Sequence, residues 1–361
     1  AITYLKKEAG LPSYPADGED GLVSVAHGAL NQPGIEALLR EFRDRTYGRR
    51  ETLTVGETAG LTPETLLSFI SLEDGVFSMV FEFSWCQLEL KGPNYFWYDR
   101  QEWTPEDLKR ELFSSHEMAG DRGWFGVCTE NHDQPRSIDH YLPREGRNYY
   151  GATMLASMYL LLRGTPYVYQ GQEIGMTNTV FDGIADFDDV LARNRWQERV
   201  AAGEDAAEVL ADLSITARDN ARTPMQWSAA PGAGFTTGRP WLKPNPNHTR
   251  INVEAQQADP DSVLNHYRRL IALRRAGRVL IEGGYHPLMG SHRQIYAYCR
   301  GEGPGRLVVI ANLGARPARY CHAGLMLAHD ALLLANLKVE PHPPRDSLLL
   351  RPYEARVYRV A

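Results

Sequence analysis

The chain has 361 residues, 43% hydrophobic, with a net charge of −6, enough to bury a large core and to divide into one large domain and a smaller one. Its mild acidity is spread along the sequence, so the basic footprint of a nucleic-acid-binding protein is absent and a neutral polar partner fits better. Its four cysteines lie far apart without metal-ligand spacing, no signal-peptide pattern stands at Ala1, and the longest apolar run, Met154 to Leu162, is about half of the roughly 20 residues a membrane span needs. A reducing, cytoplasmic setting is therefore expected, with no membrane contact.

Gln32 to Tyr47 places Ile35, Leu38, Leu39 and Phe42 at helical spacing and reads as an outer helix with one apolar face. Leu53-Thr54-Val55-Gly56-Glu57 reads as a short buried strand ending in a carboxylate. Thr62-Pro63-Glu64 then starts a helix, with Thr as cap and Pro in the first turn. The same signal recurs at Thr104-Pro105-Glu106, after a strand from Phe77 to Phe83. A third unit runs from Trp124 through Asp133 into a helix from Asn148 to Arg163, apolar nearly all round, as expected where both sheet and neighbours cover it. Pro166 to Gln170 is the fourth strand. Residues 174–262 form a long insertion rich in Asp, Asn, Gly and Pro, with a helical piece from Ala185 to Leu213, and a helix from Ser262 to Ala276 closes the region. Long ordered loops of this kind are usually functional.

Strand and helix alternate up to about residue 280, which argues for α/β with a parallel sheet. Beyond it, short β runs at Gln294–Cys299, Leu307–Ala311, Ala331–Leu334, Ser347–Leu350 and Ala355–Val360 are separated by glycine, proline and asparagine and predict a small antiparallel β-sandwich. Two domains are expected, 1–280 and 281–361.

Three segments place carboxylates, cations and amides at strand ends: Thr54-Val55-Gly56-Glu57-Thr58, Thr129-Glu130-Asn131-His132-Asp133-Gln134-Pro135-Arg136, and Arg218-Asp219-Asn220-Ala221-Arg222-Thr223-Pro224-Met225-Gln226-Trp227. In these segments, in this order, the sequence resembles the α-amylase superfamily (glycoside hydrolase family 13), and within it the α-glucosidase and oligo-1,6-glucosidase group. The resemblance implies the C-terminal half of a (β/α)8 TIM barrel, strands 5 to 8, followed by the sandwich. The family's strand-four pattern, Gly-Phe-Arg-x-Asp, carries its nucleophile and does not occur here. Ala1-Ile2-Thr3 falls just after that position, so the expectation is an incomplete chain that is inactive alone, with any structural Ca²⁺ or Mg²⁺ site in the missing part.

Glycoside hydrolysis needs a proton donor and an anionic partner for the oxocarbenium-like sugar, and retaining enzymes set the two carboxyls roughly 5 Å apart. Glu57 is the candidate proton donor, its pKa expected to rise by desolvation and a neighbouring carboxylate. From the residues alone, a helix-facing or surface Glu is the favoured reading, and it is the resemblance that turns the balance. By the resemblance, Asp133 holds the sugar's 2- and 3-hydroxyls, and His132 holds another. Gln134-Pro135-Arg136 is a continuation found in the α-glucosidase group, which makes Arg136 a substrate-side candidate. Arg222 and Arg218 are the planar donors expected to orient the sugar, since a guanidinium can hold a hydroxyl and a carboxylate at once, although structural ion pairing is their plain alternative. Gln170 and Glu173 sit where the eighth barrel strand would meet its loop, Glu173 mainly as support. No glycine-rich phosphate loop and no His-Glu-x-x-His occur, so neither cofactor nor metal is expected in these residues.

The implied function is a retaining, exo-acting α-glucosidase releasing terminal α-linked glucose from short maltose- or isomaltose-like oligosaccharides. Ala1 leans toward α-1,4 linkages. The alternatives are a sucrose isomerase or transglucosylase of the same family, although no Arg-Leu-Asp-Arg segment occurs, and an inactive relative serving as a binding or chaperone subunit. Oligomeric state is not legible.

Overall fold

The computed structural model describes residues 31–58, 61–90 and 100–360. Ala1, on which the lean toward α-1,4 linkages rests, lies outside them. The described residues fall into two compact units: those up to Val127 with Arg163–Thr165, and Cys128–Leu162 with Pro166 onward.

The first unit is built on a sheet in the order β1 (Val55–Glu57), β2 (Met79–Phe81), β3 (Phe125–Val127) and β4 (Thr165–Pro166). β1 runs parallel to β2 and β2 to β3, with Glu57 opposite Phe81 and Phe81 opposite Gly126. Helices follow the strands because the cap signals act where they stand. Thr62 Oγ1 accepts from Thr65 N–H ahead of the helix Pro63–Ile70. Thr104 and Asp107 form a reciprocal capping box ahead of Pro105–Ala119. Each such cap contributes about 1 kcal/mol. Leu66, Phe69, Leu108 and Leu112 turn inward to meet Val80, Phe125 and the fully buried Trp85.

Two expectations change here. β1 was expected to be buried, but Leu53 and Val55 are exposed, and among the described residues β1 stands at the edge of its sheet, paired with β2. On the helix Ile35–Arg45, Ile35 alone is buried, while Leu38 and Phe42 face outward.

In the second unit the helix Tyr149–Leu160 is the hub. Asn148 Oδ1 accepts from Tyr150 and Gly151 N–H at its start, and every residue from Gly151 to Leu160 is buried. Each large apolar side chain so covered is worth about 1.5–3 kcal/mol. Gly151 is required because a Cβ there would lie 2.0 Å from the Gly146 carbonyl oxygen. One side of the hub meets the helix Val263–Ala276, where Ser157 Oγ and His266 Nε2 are 2.8 Å apart. Arg274 caps its C-terminus by donating to the Leu160 and Leu162 carbonyls, a cation at the negative end of the helix dipole.

The hub's other side meets a five-stranded antiparallel sheet, in the order β5 (Tyr285–Leu288), β6 (Ile295–Arg300), β7 (Leu307–Asn312), β11 (Ala355–Arg359), β9 (Leu332–Ala335). A second layer pairs β8 (Ala318–Cys321) with β10 (Ser347–Leu350). Ile295, Val308, Ile310 and Tyr358 share one core with Tyr320, Leu348 and Leu350 of the second layer, so the two layers form the expected sandwich. All positions of β6 and β7 are buried, because one face fills that core and the other packs on the hub. Tyr298 OH donates to Met158 O, Arg300 Nη1 to Leu161 O, and Asn336 Nδ2 to Tyr150 O.

The expected helical piece from Ala185 to Leu213 is two helices, Val190–Ala201 and Ala206–Thr216. Gly203, at φ +93°, and the Asp205 cap break it. Of the fourth strand only Thr165–Pro166 is β; Tyr167 to Gln170 follow irregularly.

Candidate functional site

After β3 the chain enters the loop Cys128–Arg136, which is shaped from within. Glu130 is buried and accepts from Arg136 Nη1 at 2.7 Å and from Ser137 N–H and Oγ, each at 2.9 Å. Thr129 Oγ1 accepts from Gln172 Nε2 at 2.8 Å. Asn131 Oδ1 accepts the Asp133 N–H at 2.8 Å, an Asx turn that turns the Asp133 side chain outward.

Two guanidiniums meet that side chain. Arg222 Nη2 donates to Asp133 Oδ1 at 2.6 Å, while its Nε donates to the His132 carbonyl at 2.8 Å. Arg218 Nη1 reaches the same Oδ1 at 3.3 Å. His132 Nε2 stands 3.4 Å from Oδ2. Asp133 keeps 40% of its side-chain surface exposed, so one oxygen is gripped while the carboxylate still faces an incoming ligand.

Arg218 is fixed in turn by Asp189, the cap of the helix Val190–Ala201. Its Nη2 and Nε donate to the two carboxylate oxygens at 2.6 and 2.9 Å, the bidentate geometry that a guanidinium favours. Burial pushes the Asp189 carboxyl upward, but the Arg218 hydrogen bonds, the Leu191 N–H and the two nearby arginine charges outweigh it and hold the group below its ordinary value. The bonds from Arg218 to Asp189 likewise hold the guanidinium more firmly protonated.

A cavity of about 680 Å³ opens beside this cluster, within the range of small-molecule sites. His132, Gln170, Glu173 and Arg222 line its polar end. Gln170 Nε2 donates to Ala221 O. Burial pushes the Glu173 carboxyl up, and its Oε2 is buried without a hydrogen-bond partner, an acceptor that a ligand hydroxyl would satisfy. The other end carries Met225, Trp227, Phe235, Trp241 and Leu242.

Arg136 has a setting different from the one expected. It is wholly buried, and its donors go to Glu130, to Gln170 O at 2.7 Å, and to Asn220 O and Ala221 O at 3.2 Å. No surface is left for a sugar, because the guanidinium ties three loops together beneath the cavity. Glu57 ends β1 in the first unit, with its side chain exposed and not desolvated as expected. The structure thus brings His132, Asp133, Arg218 and Arg222 together, sets Gln170 and Glu173 on the cavity wall, and places Arg136 behind it. Sequence reading missed Asp189, whose helix-capping position before Val190 was its one signal, and the ring-bearing residues Phe235 and Trp241. Among the described residues no group of three His, Cys, Asp or Glu could hold a metal ion, and no helix is long and apolar enough to cross a membrane.

A parallel α/β sheet, a carboxylate gripped by two arginines in the loop after one of its strands, and a β-sandwich in the C-terminal part mark an α/β protein with an appended β domain. The chain belongs to the α-amylase family: the model of the alpha-amylase catalytic domain matches residues 1–283. It is 38% identical to the probable oligo-1,6-glucosidase 3 of Bacillus subtilis (strain 168) and 36% identical to the oligo-1,6-glucosidase of Halalkalibacterium halodurans, over 99% of this chain in each case. It spans 64% of the length of each. Among solved structures, the isomaltulose synthase of Klebsiella sp. LX3 and the trehalulose synthase of Pseudomonas mesoacidophila MX-45 each superpose with a TM-score of 0.84 at 32% identity, covering 91% of this chain and 59% of theirs. The fold is accordingly part of the α-amylase barrel with its C-terminal sandwich.

Proposed function

We propose that the chain is the part of a retaining, exo-acting α-glucosidase that supplies the proton donor and the sugar-gripping carboxylate, acting on terminal α-linked glucose of short maltose- or isomaltose-like oligosaccharides. The observation that carries the reading is Asp133, held at 2.6 Å by Arg222 and 3.3 Å by Arg218 beside a cavity that also presents His132, Gln170 and Glu173. Vicinal hydroxyls can each donate to one oxygen of such a carboxylate, and the arginines hold it aimed.

In the proposed reaction Glu57 gives its proton to the glycosidic oxygen as the bond to C1 breaks, and a nucleophilic carboxylate bonds to C1. Water then displaces it, with Glu57 taking the proton back. Glu173 accepts a hydroxyl, and Arg136 is a positioning residue. We further propose that the nucleophile is none of the carboxylates in this sequence and that the chain alone does not turn over. The domain division is read as 1–280 and 281–361. Cys86, Cys128 and Cys299 are buried and Cys321 is exposed, none of them in a disulfide, which supports a reducing, cytoplasmic setting.

Hydrolysis of p-nitrophenyl α-glucoside tests this, with the chain alone and then expressed from its full reading frame. Turnover only from the full frame supports the reading; none in either case favours a binding subunit. The isomaltulose and trehalulose synthase structures support a second reading, sucrose isomerisation. Product analysis after incubation with sucrose separates the two, isomers against glucose plus fructose.

A further inference from the structure

We infer that the aromatic end of the cavity is a leaving-group subsite shaped for an aromatic aglycone in preference to a second hexose; this rests on the reading that the Asp133 cluster holds a glucose ring. Trp227, Phe235 and Trp241 are 50%, 52% and 66% exposed, and large rings left so open on a structured loop mark a contact surface. They are also held in place. The Ala233 carbonyl accepts from both Trp227 and Ser228 N–H, which requires the left-handed backbone at Gly232, Ala233 and Gly234 (φ +67°, +58° and +65°). A Cβ on Gly234 would stand 2.5 Å from Ser228 Oγ. The Trp241 indole N–H donates to Asp188, and the nearby Lys243 is anchored on Asp182 and Asp186 at 2.8 and 2.6 Å. Rings fixed beforehand lose little freedom when a ligand stacks on them.

The chemistry of this end decides between occupants. A hexose brings hydroxyls that need partners, and burying them without partners is unfavourable. Here the backbone groups are already engaged, the Trp227 amide N–H by Ala233 O, the Trp227 carbonyl by Glu254 N–H and the Phe235 amide N–H by Gly232 O, and so is the Trp241 indole N–H, by Asp188. Met225 and Leu242 complete an apolar wall. An aromatic ring stacks on such a surface without leaving any group unsatisfied.

Calorimetric titration of the chain with glucose, isomaltose and phenyl α-glucoside tests the inference. Phenyl α-glucoside should bind about tenfold more tightly than glucose, the gain of stacking on about two rings, with isomaltose within about threefold of glucose. Trp227→Ala and Trp241→Ala should bring phenyl α-glucoside down toward the glucose value and leave glucose unchanged, while Trp241→Phe retains most of the gain. Equal gains for isomaltose and phenyl α-glucoside, or alanine variants that weaken glucose equally, overturn the subsite. If Asp133→Asn leaves glucose affinity intact while the tryptophan variants still weaken phenyl α-glucoside, the glucose assignment fails separately. No binding of any of the three overturns both.

Discussion

Replacing Arg136 with alanine should unlock the floor of the site. The side chain has no exposed surface and Glu130 almost none, so the substitution leaves a carboxylate in the interior with only Ser137 as donor, and it strips the carbonyls of Gln170, Asn220 and Ala221 of the Arg136 donors. Breaking a buried ion pair from one side costs about 3–5 kcal/mol, and the Gln170 carbonyl, losing its Arg136 donor, pushes toward the upper end, while Ala221 O and Asn220 O keep other donors. Against a total of about 5–15 kcal/mol, that is about a fifth or more of the stability of a typical domain. Urea unfolding followed by tryptophan fluorescence, with the midpoint and slope fitted separately, measures it. Glu130→Gln should destabilise as well, because its single amide oxygen can replace only one of the two acceptors, the oxygen facing Arg136 or the one facing Ser137. A loss below about 1 kcal/mol for Arg136→Ala, the level of a solvent-exposed pair, would refute the reasoning.

Asp133→Asn should weaken glucose binding by about tenfold to a hundredfold, the worth of charge-assisted hydrogen bonds, with little change in the urea midpoint; calorimetry and unfolding together check this. Asp189→Asn should destabilise the chain at pH 7, and the deficit should shrink in acid. The folded-state pKa of Asp189 is depressed, so its contribution is present above the unfolded value near 3.9 and is lost as the pH falls through the folded value. Unfolding curves for both proteins from pH 7 to pH 3 give the sign. Gly151→Ala should lose about 1–3 kcal/mol by overpacking against the Gly146 carbonyl, although alanine is the better helix former. Thermal unfolding of the variant decides between the two effects.

What could be read from the residues was whatever they determine within a few neighbours. Thr62, Thr104, Asn148 and Ser262 each cap the helix expected after them. The β runs expected at Gln294–Cys299 and Leu307–Ala311 are the interior strands β6 and β7, Ile295–Arg300 and Leu307–Asn312. β5 escaped notice because Pro287 sits in it, which is tolerated since β5 is an edge strand. Arg136 looked like a ligand-facing group because it follows His132 and Asp133 closely. Its burial depends on carbonyls 34, 84 and 85 residues away, which no local pattern announces. Asp189 was missed for a similar reason, since its partner Arg218 lies 29 residues on, across two helices.

The hub helix Tyr149–Leu160 takes donors from the sandwich at Tyr150, at Met158 and just past its end at Leu161. A graft of some other family member's C-terminal sheet would have to return a phenol, a guanidinium and an amide to the same three carbonyls. Chimeras joined between the hub and β5 should therefore express poorly unless both sides come from the same parent.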